Sequence, residues 1–213
     1  TEIDGNGSLT TASSDNIAIF VNGTTTLTIS NITLDATGKW GIVGENDNDG
    51  LIIKNATVTA KGTEEAAICD LKTFTLEGCD IIAPVGAEWK DEKHAVVDAE
   101  ENLVKEVKIG LKYDLYIAGT QVTSLNCNAL GDIDGVTVAE GGEFKYDPAT
   151  KTLTMKGVTV SVEGNKKAIE NSGIEGLTIE VSGTNSLKGN SGLSCLASTV
   201  IEGNGSLTVA SSN

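Results

Sequence analysis

The 213-residue sequence predicts an all-β solenoid, in which short strands coil and successive coils stack in parallel. Three observations carry that expectation: a residue-specific repeat of 22–24 positions, apolar/polar alternation inside each repeat, and Gly or Asn at one fixed place in it. Composition agrees. The chain holds 25 Gly and 25 Thr against two Pro, as strands separated by turns require. Aromatics at 4% leave the core to Ile, Val, Leu and Ala.

The units begin at Thr26 (TLTISNITLDATG), Gly50 (GLIIKNATVTAKG), Thr73 (TFTLEGCDIIAPVG), Thr152 (TLTMKGVTVSVEG) and Gly176 (GLTIEVSGTNSLKG). Leu27, Leu51 and Phe74 form an equivalent set with spacings of 24 and 23, and Leu153 to Leu177 is again 24. Leu27 and Ile29 flank Thr28, and Ile32 and Leu34 flank Thr33, so one face of each strand is buried and the other wet. Asn31, Asn55, Gly78 and Gly157 fall in register between the two strands. Both residue types tolerate a left-handed backbone, so one positive-φ residue turns the chain in each unit. A third run closes the unit: Ile17-Ala18-Ile19, Gly41-Ile42-Val43, Ala67-Ile68-Cys69, Ala95-Val96-Val97 and Ala168-Ile169. Its small residues predict a tight wall.

Three strands in 22–24 residues make one rung, with like strands stacked at ~4.8 Å. Outward Thr and Ser would then form hydroxyl ladders and the Asn positions an amide ladder. This pattern resembles the right-handed parallel β-helix, the hand the crossover rule favours. The alternative is two β-sandwich domains, which also have short strands and frequent turns but need no fixed period.

A longer repeat overlies the short one. Residues 1–15, TEIDGNGSLTTASSD, return as 199–213, TVIEGNGSLTVASSN, matching at eleven of fifteen positions. Thr1 thus begins inside a repeat, which predicts a piece of a longer polypeptide with any export signal or anchor outside it.

The pattern lapses between Pro84 and Asp147. PVGAEWKDEK (84–93) reads as a charged turn inserted in a rung, and AEENLVKEVKIGLK (99–112) as a charged connector. DLYIAGTQVTS (114–124) reads as a hairpin around Ala118-Gly119, and EFKYDPATKTLTM (143–155) as a second one turning at Asp147-Pro148. The expected organisation is a solenoid segment at 1–98, connector and capping hairpins at 99–150, and a second solenoid segment at 150–213. Open solenoid ends need such covers to keep the core dry and block edge pairing.

YDLYIAGTQVTS, GGEFKYDPATKTLTM and IEGNGSLTVASS are together similar to a repeat module of large secreted or surface-attached bacterial proteins, especially of gut bacteria. The similarity spans most of 113–213 and, through GNGSLT, the first fifteen residues. It implies an adhesin-like or carbohydrate-binding role and supplies no catalytic motif.

Charge narrows the partners. Thirty acids against fifteen Lys and no Arg give a net charge of -15. That argues against nucleic acid, whose phosphates call for basic patches and the guanidinium fork, and against an anionic membrane surface. No apolar run approaches the ~20 residues of a spanning helix.

The loop Glu45-Asn46-Asp47-Asn48-Asp49-Gly50 is the metal candidate, with Glu45, Asp47 and Asp49 at positions 1, 3 and 5 of an EF-hand-like spacing. Position 12 is Ala56, so the bidentate Glu is missing. A solvated turn is the preferred reading, and Ca²⁺ the one metal the loop suits; otherwise no cofactor is expected. For glycan stacking the candidates are Tyr116, Tyr146 and Trp89, although Tyr side chains suit cap edges equally well. Tyr113 shares a face with Leu115 and Ile117 and is expected to pack inward, with Tyr116 pointing out. His94, the single histidine, reads as a rung-edge residue. Glu64-Glu65 and Glu100-Glu101 point to opposite faces if extended. Of the four cysteines, Cys69 and Cys195 lie in short apolar runs and are expected to be buried.

The expected function is a non-enzymatic extracellular or cell-surface module contacting glycans or surface proteins. The alternative is a polysaccharide-active lyase or glycoside hydrolase on the same scaffold. Such an enzyme would need Asp47, Asp49, Asp70, Asp80 and Asp98, or several of them, gathered in one cleft.

Overall fold

The computed structural model describes residues 1–23, 25–45 and 49–212, in two units, Thr1–Leu111 and Lys112–Asn213. In the first unit, β1 (Glu2–Asp4), β2 (Ser8–Ala12) and β3 (Ile17–Val21) make one coil. The second coil is β4 (Thr26–Ser30), β5 (Thr33–Gly38) and β6 (Trp40–Gly44); the third is β7 (Gly50–Lys54), β8 (Thr57–Gly62) and β9 (Ile68–Cys69). Like strands pair in parallel, giving walls β1-β4-β7, β2-β5-β8 and β3-β6-β9. This is a β-solenoid. Facing antiparallel sandwiches would have paired consecutive strands instead.

The register is the one the spacing predicts. Leu27 lies opposite Leu51, and Leu51 opposite Phe74 of β10 (Thr73–Glu77). Inward residues therefore stack in columns, Ile3-Ile29-Ile53 and Leu9-Leu34-Val58, whose inner members Ile29, Ile53, Leu34 and Val58 are fully buried. Each such side chain contributes about 2 kcal/mol of burial. The junction residues take the predicted backbone: φ is 53° at Asn31, 46° at Asn55, 66° at Gly78 and 64° at Gly157. The amide of Asn31 donates to Asp4 Oδ1 at 2.9 Å, so this Asn pairs with an acid of the preceding coil and not with an amide ladder.

Two expectations need correction at the end of this unit. β11 (Asp80–Ala83) does not sit on β8; β14 (Glu106–Gly110) lies between them, antiparallel to both. β13 (Ala95–Val97) likewise runs antiparallel to β9, and β12 (Glu88–Lys90) antiparallel to β13. The stretch read as a charged connector is therefore a covering strand. Val107 and Ile109 of β14 are fully buried, while Glu106 and Lys108 alternate with them and face water more.

The second unit reverses the arrangement. Its antiparallel strands come first: β15 (Lys112–Ile117), β16 (Thr120–Thr123) and β17 (Val136–Asp147). β15 and β16 form the predicted hairpin, with Ala118 and Gly119 at φ 53° and 81°. A single 3₁₀ turn, Leu130–Asp132, precedes β17. β18 (Thr152–Ser161) then serves two walls. Its first half pairs in parallel with β20 (Leu177–Ser182) and its second half with β21 (Thr184–Gly189). β19 (Lys167–Asn171) pairs with β22 (Ser191–Cys195), and β23 (Thr199–Gly203) and β24 (Ser206–Ser211) stack on β20 and β21. β17 and β15 cover the near side of this stack, antiparallel to β18 and β19. The 99–150 stretch is thus shared between the units, which divide after Leu111.

A buried amide joins the coils of the second unit. Asn185, 1% exposed, accepts from the Val158 N–H at 2.9 Å and donates to the carbonyls of Ser182 and Ser206 at 2.9 and 3.2 Å. One side chain thus bonds to three successive coils. Asn171, fully buried, similarly holds the Ile174 backbone and reaches Thr199 Oγ1.

Candidate functional site

In the third wall of the first unit Ile42, Ile68 and Val96 turn into the coil interior, and residues between them face the other way. Val43, Ala66, Cys69 and Ala95 form a cluster apart from the coil interior, and Ile17 and Trp40 pack on it. Beside them Phe20 is 50% exposed. Ile17, Phe20, Trp40 and Val43 line a shallow groove of about 300 Å³, bordered by Glu45 and Asp70. The strand register sets this up, because Ile17 lies opposite Trp40 and Phe20 opposite Val43. Lys39 Nζ sits 5.2 Å from the Trp40 ring centroid and pairs with Glu64 at 3.1 Å, which fixes one face of the indole. The arrangement offers an apolar aromatic surface with carboxylates at its margin. Sequence reasoning missed both Phe20 and Trp40. The signal was present: each is an aromatic bordering a short apolar third-wall run, Ile17-Ala18-Ile19 or Gly41-Ile42-Val43.

A second groove, about 390 Å³, lies in the second unit along Tyr113, Asp114, Tyr146, Lys151 and Glu175. Tyr113 and Tyr146 meet edge to face at 5.2 Å. Burial pushes the Tyr113 hydroxyl up to about 12 and raises that of Tyr146 as well. Lys151 Nζ donates to the Glu175 carbonyl at 3.0 Å, closing one end.

The predicted glycan residues are placed as follows. Tyr146 is only 3% exposed, because it shares the inward face of β17 with Phe144; it forms the wall of the second groove and not an open platform. Tyr116 is half-buried on the outward face of β15, as alternation predicted, and lies opposite Gln121 and Glu170. Trp89 is half-buried against Phe74, 5.4 Å between centroids, with its indole N–H donating to Asp91 at 2.7 Å. Trp89 belongs to the first unit, Tyr116 and Tyr146 to the second.

For the metal loop, Asp47 lies outside the described residues. Asp49 is 1% exposed, and its two carboxylate oxygens accept the Thr25 and Glu45 N–H groups at 3.1 and 2.9 Å. It ties the turn together. Among the described residues no three His, Cys, Asp or Glu side chains cluster in a metal-binding arrangement. Asp70 is in a left-handed turn after β9 and Asp80 opens β11. Asp98 accepts the N–H groups of Glu100 and Asn102, which holds its carboxyl below the usual range. Asp49 and Asp98 thus each tie a separate turn. His94, at φ 50°, has Nδ1 2.9 Å from the Leu71 carbonyl, so that nitrogen carries the proton and donates.

Cys69, Cys79 and Cys127 are buried, whereas Cys195, expected to be buried, is exposed at the end of β22. Burial is the main cause that raises the thiols of Cys79 and Cys127 and pushes Cys69 up to about 12. In the native protein Cys195 alone should react with a thiol reagent near neutral pH, the other three only on unfolding. A second fast-reacting thiol would contradict this burial. The folded Cys69 value lies above the unfolded one, about 8.5. Its contribution to stability is therefore full below that pH and lost as pH rises toward about 12.

No family model, curated protein or solved structure matches this chain.

Proposed function

We propose that this chain is a non-enzymatic structural module of a secreted or cell-surface protein, of the adhesin-like kind its sequence resembles. It contacts glycans through the Phe20–Trp40 groove. The observation that carries this reading is the groove itself: an exposed aromatic beside a second one, on an apolar floor, with Glu45 and Asp70 at the margin. The C–H faces of sugar rings pack on aromatic surface, and marginal carboxylates accept their hydroxyls. A surface with net charge -15 repels polyanions, so neutral glycans are the favoured class. Stacked coils supply the rigid support that such a site needs.

The test is a glycan array probed with the purified chain, with and without Ca²⁺, alongside Trp40→Ala and Phe20→Ala. Binding of a neutral glycan that weakens about tenfold or more in Trp40→Ala supports the reading. Binding that neither substitution affects would place the site elsewhere. Silence under both conditions would reduce the module to a stalk.

A further inference from the structure

The groove of the second unit holds two hydroxyl groups that the fold itself does not use. Tyr146 is 3% exposed, yet its hydroxyl has no hydrogen-bond partner among the described residues, and neither has that of Tyr113. Hydroxyls in such places normally find a partner, because desolvating one without a bond is costly. Among the described residues no side-chain oxygen is both sealed from solvent and unpaired, so these two open on the groove that both tyrosines line. The rings are held. Tyr146 shares the inward face of β17 with Phe144, and Tyr113 meets it edge to face at 5.2 Å. Desolvation raises both phenols from their ordinary value, so both remain protonated donors at neutral pH.

The rest of the lining is charged in balance. Lys112 and Lys151 supply two ammonium groups, Asp114 and Glu175 two carboxylates, in a chain whose net charge is -15. Lys151 closes one end through its bond to the Glu175 carbonyl, so the groove admits the end of a chain and not its middle. Every lining residue belongs to the second unit, and none lies in its last coil.

We propose that this groove binds the terminal one or two rings of a neutral glycan, as a site independent of the Phe20–Trp40 groove. Sugar hydroxyls both donate and accept; phenol hydroxyls do likewise, carboxylates accept and ammonium groups donate. A balanced lining favours a ligand without net charge. The volume of about 390 Å³ lies toward the lower end of the ~300–1,000 Å³ of ligand pockets, which suits a mono- or disaccharide. The first groove offers exposed rings for stacking, whereas this one offers hydrogen bonds at an enclosed end.

The distribution of aromatic residues supplies the readout. The three tyrosines all lie in the second unit and both tryptophans in the first. NMR of the chain carrying isotope-labelled tyrosine follows a titration with disaccharides ending in glucose, galactose, mannose or N-acetylglucosamine. At least one sugar should shift Tyr113 and Tyr146 and leave Tyr116, which does not line the groove, in place. Tyr146→Phe is then read at Tyr113, and Tyr113→Phe at Tyr146. Each variant keeps its ring and loses only a hydroxyl that no described protein group uses, so its urea midpoint should match the parent chain while affinity falls about fivefold or more. Trp40→Ala should leave the tyrosine shifts as they are; their loss there would assign the effect to the first groove and overturn the second site. No shift with any of these sugars also overturns the inference, as does an affinity unchanged in both Phe variants. So does tighter binding of a disaccharide ending in glucuronic acid or glucosamine.

Discussion

Gly41→Val is expected to lower the stability of the first unit by about 3 kcal/mol or more, the upper part of the range for overpacking. The backbone conformation at Gly41 is ordinary; the cause is proximity. A Cβ there would overlap the Ala67 carbonyl oxygen and lie 3.1 Å from both the Ala67 carbonyl carbon and the Lys61 nitrogen. All three are backbone atoms of the next coil. They cannot withdraw without breaking the ladder in which the Gly41 and Ile42 N–H groups donate to Ala66 and Ala67 at 3.2 and 2.8 Å. Urea unfolding followed by circular dichroism measures the loss. Gly7→Ala is the control, because nothing lies within 4 Å of a Cβ there. Equal midpoints for the two variants would refute the close-approach account.

Asn185→Leu is expected to cost the second unit about 2–4 kcal/mol, although Leu is the more apolar residue. The substitution strands the Val158 N–H and removes a donor from the Ser182 and Ser206 carbonyls, in a site that is 1% exposed. An unmade bond in such a place costs the full desolvation of the orphaned group. Lys54→Ala makes the useful comparison. Its ion pair with Glu77 spans neighbouring coils at 3.0 Å, yet both side chains are about half exposed, and removing it should cost under about 1 kcal/mol. A urea midpoint for Asn185→Leu at or above that of the parent chain would show that the coils need no polar tie.

Period and punctuation made the solenoid legible. A spacing of 24 between Leu27 and Leu51 specifies which residues stack, and Asn31, Asn55 and Gly78 specify where the chain turns; the observed register and dihedrals follow from both. The ends of the stacks were less legible. Val107 and Ile109 alternate with charge as any solenoid strand does, and alternation says nothing of direction, so β14 could not be told from a connector. Ala95-Val96-Val97 resembles the other third-wall runs in composition for the same reason: both lie against the same wall, one parallel and one antiparallel. The candidate site was read least well. Tyr146 suits glycan stacking by residue type, whereas strand parity at Phe144 and Tyr146 turns it inward. Trp40 and Phe20 lie where the repeat is intact, so no lapse of the period marks them. Asp49 illustrates a further ambiguity, since a carboxylate that caps two amides and one that awaits a cation occur in the same acidic turn.

The 24-residue coil also determines how the molecule would respond to tension. Pulled from one end, a stack would release one rung at a time, each freeing ~80 Å of slack at about 3.4 Å per residue. Parallel ladders dragged along the stacking direction open bond by bond, so each release would need modest force and could reverse when the load fell. A tether of this kind would lengthen in even increments and re-wind, behaving as a shock absorber.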